Sequence, residues 1–313
     1  MQKDENIVFI GGRDRGLKCI KALIEKGEKL PYIFCLEEDD HEKEKYSKQI
    51  VALAKKHSIP VKVTKTIKSV TDINLLKNLK PLLIIVMGWR TIIPSEVLKI
   101  PKRGVVAVHE SLLPKYRGFA PINWAIINGE KMSGVTLFYL DEGIDSGDII
   151  AQRKIPIGST DTGFTLYQKT KTASVEILID YLEDIKRGSA SRIKQNEKEA
   201  TYTCFRTPDD GEIFWTRPAK DIYNLIRALS DPYPGAFTIY EGRKIIIQKA
   251  SFTDSPRNFV GRIPGRVVAV GQGWVEVLTG DGSLKIEEIE VEGKKLPASK
   301  IFSSIKGTLG IVR

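Results

Sequence analysis

His109 and the acidic run Asp141-Glu142-Gly143-Ile144-Asp145-Ser146-Gly147-Asp148 are the residues of this chain best suited to chemistry. An imidazole poised near neutrality can take or give a proton in the working range. A carboxylate beside it would orient the ring and stabilise its cation. Of the three histidines, His41 and His57 sit in charged, exposed contexts, whereas His109 follows a buried strand. A lone histidine in such a place is commonly just a satisfied loop residue, and spacing alone does not say which of the four acids lies near it. The acidic run lacks the oxygen-ligand periodicity and terminal Glu of a calcium loop. Between the two elements, Pro114, Gly118 and Pro121 make a stiff, tight loop. Lys115 and Arg117 on that loop could hold an anionic substrate; the plain alternative is a crossover.

These residues need a scaffold. Segments 6–10, 32–35, 60–64, 82–87 and 104–109 read as strands. Between them lie helical patterns such as Leu17, Ile20, Leu23 and Ile24. Strands alternating with helices predict an α/β fold with a doubly wound, mainly parallel sheet. Ligands of such sheets bind beyond the carboxyl ends of the strands, which places Gly11, Gly88 and His109 along one edge. Gly11-Gly12 lacks the full dinucleotide fingerprint and reads equally as a tight strand-to-helix turn. Residues 135–155 read as strand, loop, strand, and Asp161 and Thr162 can cap a long helix running to about Ile185. Residues 1–186 then form the catalytic domain and the polar stretch 187–204 a linker. Residues 205–313 carry a helix at 218–228 and short β runs with Gly-rich turns. They read as a smaller C-terminal β-barrel (OB-like) domain.

A chain of 313 residues suits two domains, and 42% hydrophobic residues support a buried core. No apolar run approaches the roughly 20 residues that span a bilayer. The N-terminal residues have no signal layout, and Cys19, Cys35 and Cys204 match neither a metal nor a disulfide pattern. A cytoplasmic protein without membrane contact is expected. The net charge of +10 fits a polyanionic partner, or a lysine-rich background with equal weight.

The Ser111-Leu-Leu-Pro-Lys-Tyr-Arg-Gly118 run, the run from Gly134 to Ile150 that contains Asp145-Ser146-Gly147-Asp148, and their separation resemble the 10-formyltetrahydrofolate-dependent formyltransferases. That family includes methionyl-tRNA formyltransferase, glycinamide ribonucleotide formyltransferase and the N-formyltransferases of nucleotide-linked amino sugars. The resemblance covers nearly the whole chain. It implies a Rossmann-like catalytic domain, 10-formyltetrahydrofolate as donor and no metal. It also implies a catalytic pair, His109 and Asp145. The family's asparagine two residues before the histidine is Ala107 here, so one hydrogen-bond donor to the reacting oxygen is missing. Met87, Gly88, Trp89 and Arg90, with Leu140 and Asp141, are implied to line the pterin pocket, with Trp89 as plain core the alternative. Gly11, Gly12, Arg13, Ser111, Lys115, Arg117, Gly118 and Arg206 are the candidates for the acceptor side. For Arg206 an interdomain salt bridge is an equal reading.

The opening of the C-terminal domain, Phe205-Arg206-Thr207-Pro208-Asp209-Asp210, is similar to the amino-sugar enzymes. The acidic stretch Glu37-Glu38-Asp39-Asp40 stands where the tRNA enzymes carry a basic insertion, and acids there would repel phosphates. Residues 205–313 hold sixteen Lys and Arg against thirteen Asp and Glu, without a concentrated basic face. The expectation is formyl transfer to the amine of a nucleotide-linked amino sugar, with small molecules as partners. Methionyl-tRNA formylation is the alternative, with tRNA the lesser partner. A non-catalytic folate- or sugar-binding module, motivated by Ala107, is the third reading. The sequence is silent on oligomeric state, a homodimer among the options.

Overall fold

Two continuous apolar runs build the centre of the first unit. Ile7-Val8-Phe9-Ile10 and Leu83-Ile84-Ile85-Val86-Met87 are buried throughout, the pattern of parallel strands covered on both faces. The computed structural model describes residues 6–39, 42, 44–253 and 257–310, so Asp40 and His41 lie outside the described residues. In chain order the elements begin β1 (Ile7–Gly11), α1 (Arg13–Glu25), β2 (Ile33–Leu36), α2 (Tyr46–Lys56) and β3 (Val61–Thr64). They continue α3 (Val70–Leu79), β4 (Leu83–Met87), α4 (Ser95–Leu98), β5 (Val105–His109), β6 (Arg117–Gly118), α5 (Pro121–Ile127) and β7 (Met132–Tyr139). Then come β8 (Ile149–Pro156), α6 (Gly163–Arg187), β9 (Tyr202–Thr203) and α7 (Ala219–Leu229). The last are β10 (Ala236–Tyr240), β11 (Arg243–Phe252), β12 (Val267–Val270), β13 (Val275–Leu278), β14 (Ser283–Val291) and β15 (Lys294–Pro297).

The main sheet has the order β3-β2-β1-β4-β5-β7-β8. Its first five strands pair in parallel, and β7 runs antiparallel to β5. This is the mainly parallel, Rossmann-like sheet expected from the sequence. Strand order reverses between β1 and β4, and a crevice opens beyond their carboxyl ends at such a point. There the backbones come very close. Gly12 N–H donates to the Met87 carbonyl at 3.1 Å. A Cβ on Gly11 would lie 1.9 Å from the Met87 oxygen, and one on Gly88 (φ +70) 2.4 Å from the Gly12 oxygen. Close approach of two strand ends therefore accounts for these glycines. Thr162 caps α6, its Oγ1 accepting from Thr165 N–H at 3.2 Å, whereas Asp161 Oδ2 accepts from Gly158 N–H at 2.7 Å, in the turn before the helix.

The chain divides into two compact units. The first comprises Met1–Gly118, Gly134–Ile155 and Lys169–Tyr202; the second comprises Phe119–Ser133, Pro156–Gln168 and Thr203–Arg313. The second unit thus takes in two earlier segments in addition to residues 205–313. Asn123 Nδ2 donates to the Ala228 carbonyl at 2.8 Å, and Arg227 Nη1 to the Asp161 carbonyl at 2.7 Å. Both bonds fasten the earlier segments to α7. The sheet of this unit is antiparallel, in the order β10-β11-β14-β13-β12, with β15 on β14. Val267 N–H donates to Gly307 O, and Gly310 N–H to Ile239 O. The segment 307–310 thereby links edge strands β12 and β10, which gives the sheet its barrel character. Trp215 is buried and donates from Nε1 to Thr238 Oγ1 at 3.0 Å, a packing role. Among the described residues no helix is long and apolar enough to cross a membrane.

Candidate active site

His109 ends β5, and its side chain is buried. A hydroxyl on the neighbouring strand fastens the start of the loop that follows. Thr136, opposite His109 on β7, donates from Oγ1 to the Ser111 carbonyl at 2.7 Å. The same oxygen accepts from Leu113 N–H at 3.1 Å and from Gln152 Nε2 at 2.9 Å. That uses the one donor and both acceptor sites of a hydroxyl. The return of this loop brings the Tyr116 carbonyl to 2.7 Å from His109 Nε2. A carbonyl can only accept, so this ring nitrogen carries the proton. In the neutral ring Nδ1 therefore bears a lone pair, and it faces Asp145 Oδ2 at 3.5 Å. The ring is set to take a proton on the side where a carboxylate can stabilise the cation.

Asp145 is the carboxylate that the fold brings to His109, which spacing had left open. It adopts the left-handed conformation, φ +50, at a cost of about 1–2 kcal/mol for a non-glycine residue. Three bonds hold it there. Its Oδ2 accepts from Gly118 N–H at 2.8 Å. Gln195 Nε2 donates both to the Asp145 carbonyl and to the Gly147 carbonyl, each at 2.8 Å. The Gln195 Oε1 in turn accepts from Arg117 Nε at 3.1 Å and Nη2 at 2.8 Å. Arg117 is wholly enclosed. It donates to both carboxylate oxygens of Glu197, at 2.9 and 2.7 Å, and to the Tyr202 hydroxyl at 3.0 Å. The hydrogen bonds that Arg117 donates to Glu197 raise its pKa against the opposing effect of burial.

Several expected site residues are placed differently. Arg117, expected to hold an anionic substrate, is internal; its guanidinium is occupied by protein groups. Ser111 is buried and donates to the Lys115 carbonyl at 2.6 Å, also an internal role. Lys115 is exposed. Arg13 is exposed, with φ +59, and ion-pairs with Glu42 at 3.5 Å. Asp141 accepts from Gly143 N–H at 3.0 Å and Ser146 Oγ at 2.7 Å, which folds the acidic loop on itself. Trp89, Ala107 and Leu140 pack on one apolar cluster with Ile84, Val86 and Ile93. Arg90 is ion-paired with Asp39 and Glu42. Arg206 belongs to the second unit. There it lies over the Trp124 ring, 4.7 Å from its centre, and donates to the Asp210 carbonyl at 2.8 Å. Gln195, Glu197 and Tyr202 come from the stretch read as a linker. Its polar composition gave no sign of them. The one available signal was the need of a buried arginine for a carboxylate.

The profile of the formyl transferase family matches residues 7–182, and that of the formyl transferase C-terminal domain matches residues 206–306. The chain belongs to this family. It is a folate-dependent formyltransferase, with 10-formyltetrahydrofolate as donor. It is 37% identical over 293 residues to the methionyl-tRNA formyltransferase of Alkaliphilus oremlandii, covering 92% of this chain and 93% of that one. It is 33% identical over 301 residues to the methionyl-tRNA formyltransferase of Geobacter metallireducens, covering 95% and 94%. It also resembles the solved N-formyltransferase of Helicobacter canadensis, crystallised with folinic acid and dTDP-3-aminofucose. That likeness has TM-score 0.70 and 20% identity, covers 90% of this chain and 98% of that one, and speaks for the fold alone.

These relatives overturn the amino-sugar reading drawn from the sequence, and the structure shows why its two supports fail. The Arg206–Asp210 run is a local turn. Asp210 accepts from Thr207 N–H at 2.5 Å in a capping box over Pro208–Gly211, so the run reports a turn and not an acceptor. Of the acidic stretch, Glu38 and Asp39 are engaged by protein groups. Asp39 pairs with Arg90 at 2.5 Å and Lys65 at 3.6 Å, while Glu42 pairs with Arg13 and Arg90. Burial works to raise the Glu42 pKa, but the Arg90 hydrogen bond, the Asp39 backbone bond and the Arg13 charge outweigh it and lower the value. Glu38 is buried and accepts from Ser47 N–H at 2.8 Å.

Proposed function

We propose that this chain is a methionyl-tRNA formyltransferase, which moves a formyl group to the amine of methionyl-tRNA with His109 and Asp145 at the reacting centre. The observation that carries this reading is the 37% identity to such an enzyme over nearly the full length of both chains. The reaction asks for a base that removes a proton from the amine as it attacks. His109 Nδ1 serves, because its other nitrogen is committed to Tyr116 and cannot compete. Asp145 then faces the ring cation. Acid–base help of this kind contributes about 10²–10⁴-fold. The +10 net charge suits a polyanionic acceptor. The same reading makes the protein cytoplasmic.

The donor supplies the formyl group, and the residues beyond β4 fit it. Trp89 Nε1 is a buried N–H without a hydrogen-bond partner among the described residues. Such a group costs about 1–3 kcal/mol unless something accepts from it. Trp89 and Leu140 give an apolar wall for a flat ring, and Trp89 offers that ring a donor. The acceptor side falls to the Gly11–Arg13 turn and exposed Lys115. The test is incubation of the protein with charged initiator tRNA and 10-formyltetrahydrofolate. Formyl-methionine on the tRNA supports the reading; its absence with active donor and acceptor refutes it.

A further inference from the structure

We infer that Gln195 is a positioning residue for the reaction: through Arg117 it holds the Asp145 loop in the conformation that presents the carboxylate to His109. The inference rests on the formyltransfer reading for its kinetic consequences but not for its structural ones. Its basis is a chain of polar contacts with only one workable polarity. A guanidinium only donates and a carbonyl only accepts. The Gln195 amide stands between them, with Oε1 on Arg117 Nε and Nη2 and Nε2 on the Asp145 and Gly147 carbonyls. Turned over, it would set oxygen against two oxygens and nitrogen against a cation. Its orientation is therefore fixed, and both of its amide hydrogens are used.

The two carbonyls flank the Asp145–Gly147 turn, so one side chain sets the spacing of both ends. Asp145 needs such a hold because its backbone is left-handed. Gly147 leaves the turn no slack, since a Cβ there would lie 1.8 Å from the Tyr139 carbonyl oxygen. The far end of the chain is anchored as well. Arg117 is enclosed and paired through Nη1 and Nη2 with Glu197, and its own N–H donates to the Thr201 carbonyl at 2.9 Å. Tyr116 N–H donates to Thr201 Oγ1 at 2.8 Å. The 195–202 segment thus fixes both partners of His109: the Tyr116 carbonyl through Thr201, and the Asp145 carboxylate through Gln195.

Two near-isosteric variants separate the parts of this role. Gln195→Glu keeps a partner for Arg117 but turns oxygen toward both carbonyls. Gln195→Met removes donor and acceptor together. In each, amide exchange at Gly118, whose N–H bonds the Asp145 carboxylate, should quicken at least tenfold, beyond what the few-degree fall in melting temperature expected from the unpaired groups brings to the amides of β1 and β4. With methionyl-tRNA as acceptor, kcat should fall roughly 10–100-fold and KM for tRNA and for folate should change less than threefold. An unchanged Gly118 exchange rate in both variants would overturn the proposal. So would faster exchange with unaltered kcat, or a loss that lies in KM alone. If the unaltered protein formylates no methionyl-tRNA, the functional reading fails by itself. The exchange comparison then still decides whether Gln195 holds Asp145.

Discussion

At the scale of single residues, the site depends on which nitrogen of His109 is free. The Tyr116 carbonyl commits one nitrogen to an N–H, and Asp145 waits at the other. His109→Ala and Asp145→Asn should each lower kcat by 10²-fold or more with the fold retained. Glu142→Gln and Asp148→Asn should stay within tenfold, because neither carboxylate meets the ring; initial-rate kinetics on all four variants checks this. A larger loss at Asp148 than at Asp145 would mean the wrong carboxylate has been chosen. Ala107 is the second residue-scale question. It packs, half-buried, against apolar clusters that include Trp89, Leu140, Leu113 and Phe138. If the family's asparagine were simply missing, Ala107→Asn would restore a donor worth about 10²–10³-fold. We expect instead a change under tenfold, because the rest of the site is intact around this position. A hundredfold gain in turnover would contradict that expectation.

Elements position these residues in two ways, and only one of them is legible in a sequence. The parallel strands announce themselves as unbroken apolar runs, so β1, β4 and β5, and the edge on which Gly11, Gly88 and His109 stand, could be read directly. The cap of α6 was equally plain at Thr162. Two-residue strands such as β6 and β9, and the Gln195–Arg117–Glu197 chain, rest on pairings some eighty residues apart, which leave no local periodicity. For the same reason a polar stretch looked like a linker, and α5, short and opened by Pro121, passed as loop. Gly147→Ala tests the tightness of the acidic turn. Its Cβ would strike the Tyr139 carbonyl, shift Asp145 and cost about 10²-fold in kcat. Glu197 gives a pH signature. Hydrogen bonds from Arg117 hold its carboxyl below the ordinary range. The folded pKa is lowered, so the stabilisation is present above the unfolded Glu value of about 4.3 and is lost as pH falls through the folded one. Glu197→Gln should therefore lower the melting temperature slightly at about pH 7, with the gap closing as pH falls below the ordinary Glu range. The effect is small because the carboxylate is mostly exposed. A gap that is constant with pH would argue against an ionic contribution.

For the whole molecule, charge and kinship point the same way once Asp39 is seen to be paired. Residues 205–313 carry a balance of +3, sixteen cations less thirteen anions, so +7 of the +10 resides in residues 1–204. Phosphate contacts made by that surplus release counterions, so affinity for tRNA should fall at least tenfold between about 50 and 200 mM salt. Filter binding across that range would show it, and salt-independent binding would not fit. The most direct test of the central claim is a single assay: methionyl-tRNA and 10-formyltetrahydrofolate, with the unaltered protein and His109→Ala side by side, read as formyl-methionine released from the tRNA. Rapid formylation by the first and a loss of at least 10²-fold in the second are expected. No formyl-methionine from the unaltered protein, or equal rates from both, would contradict it.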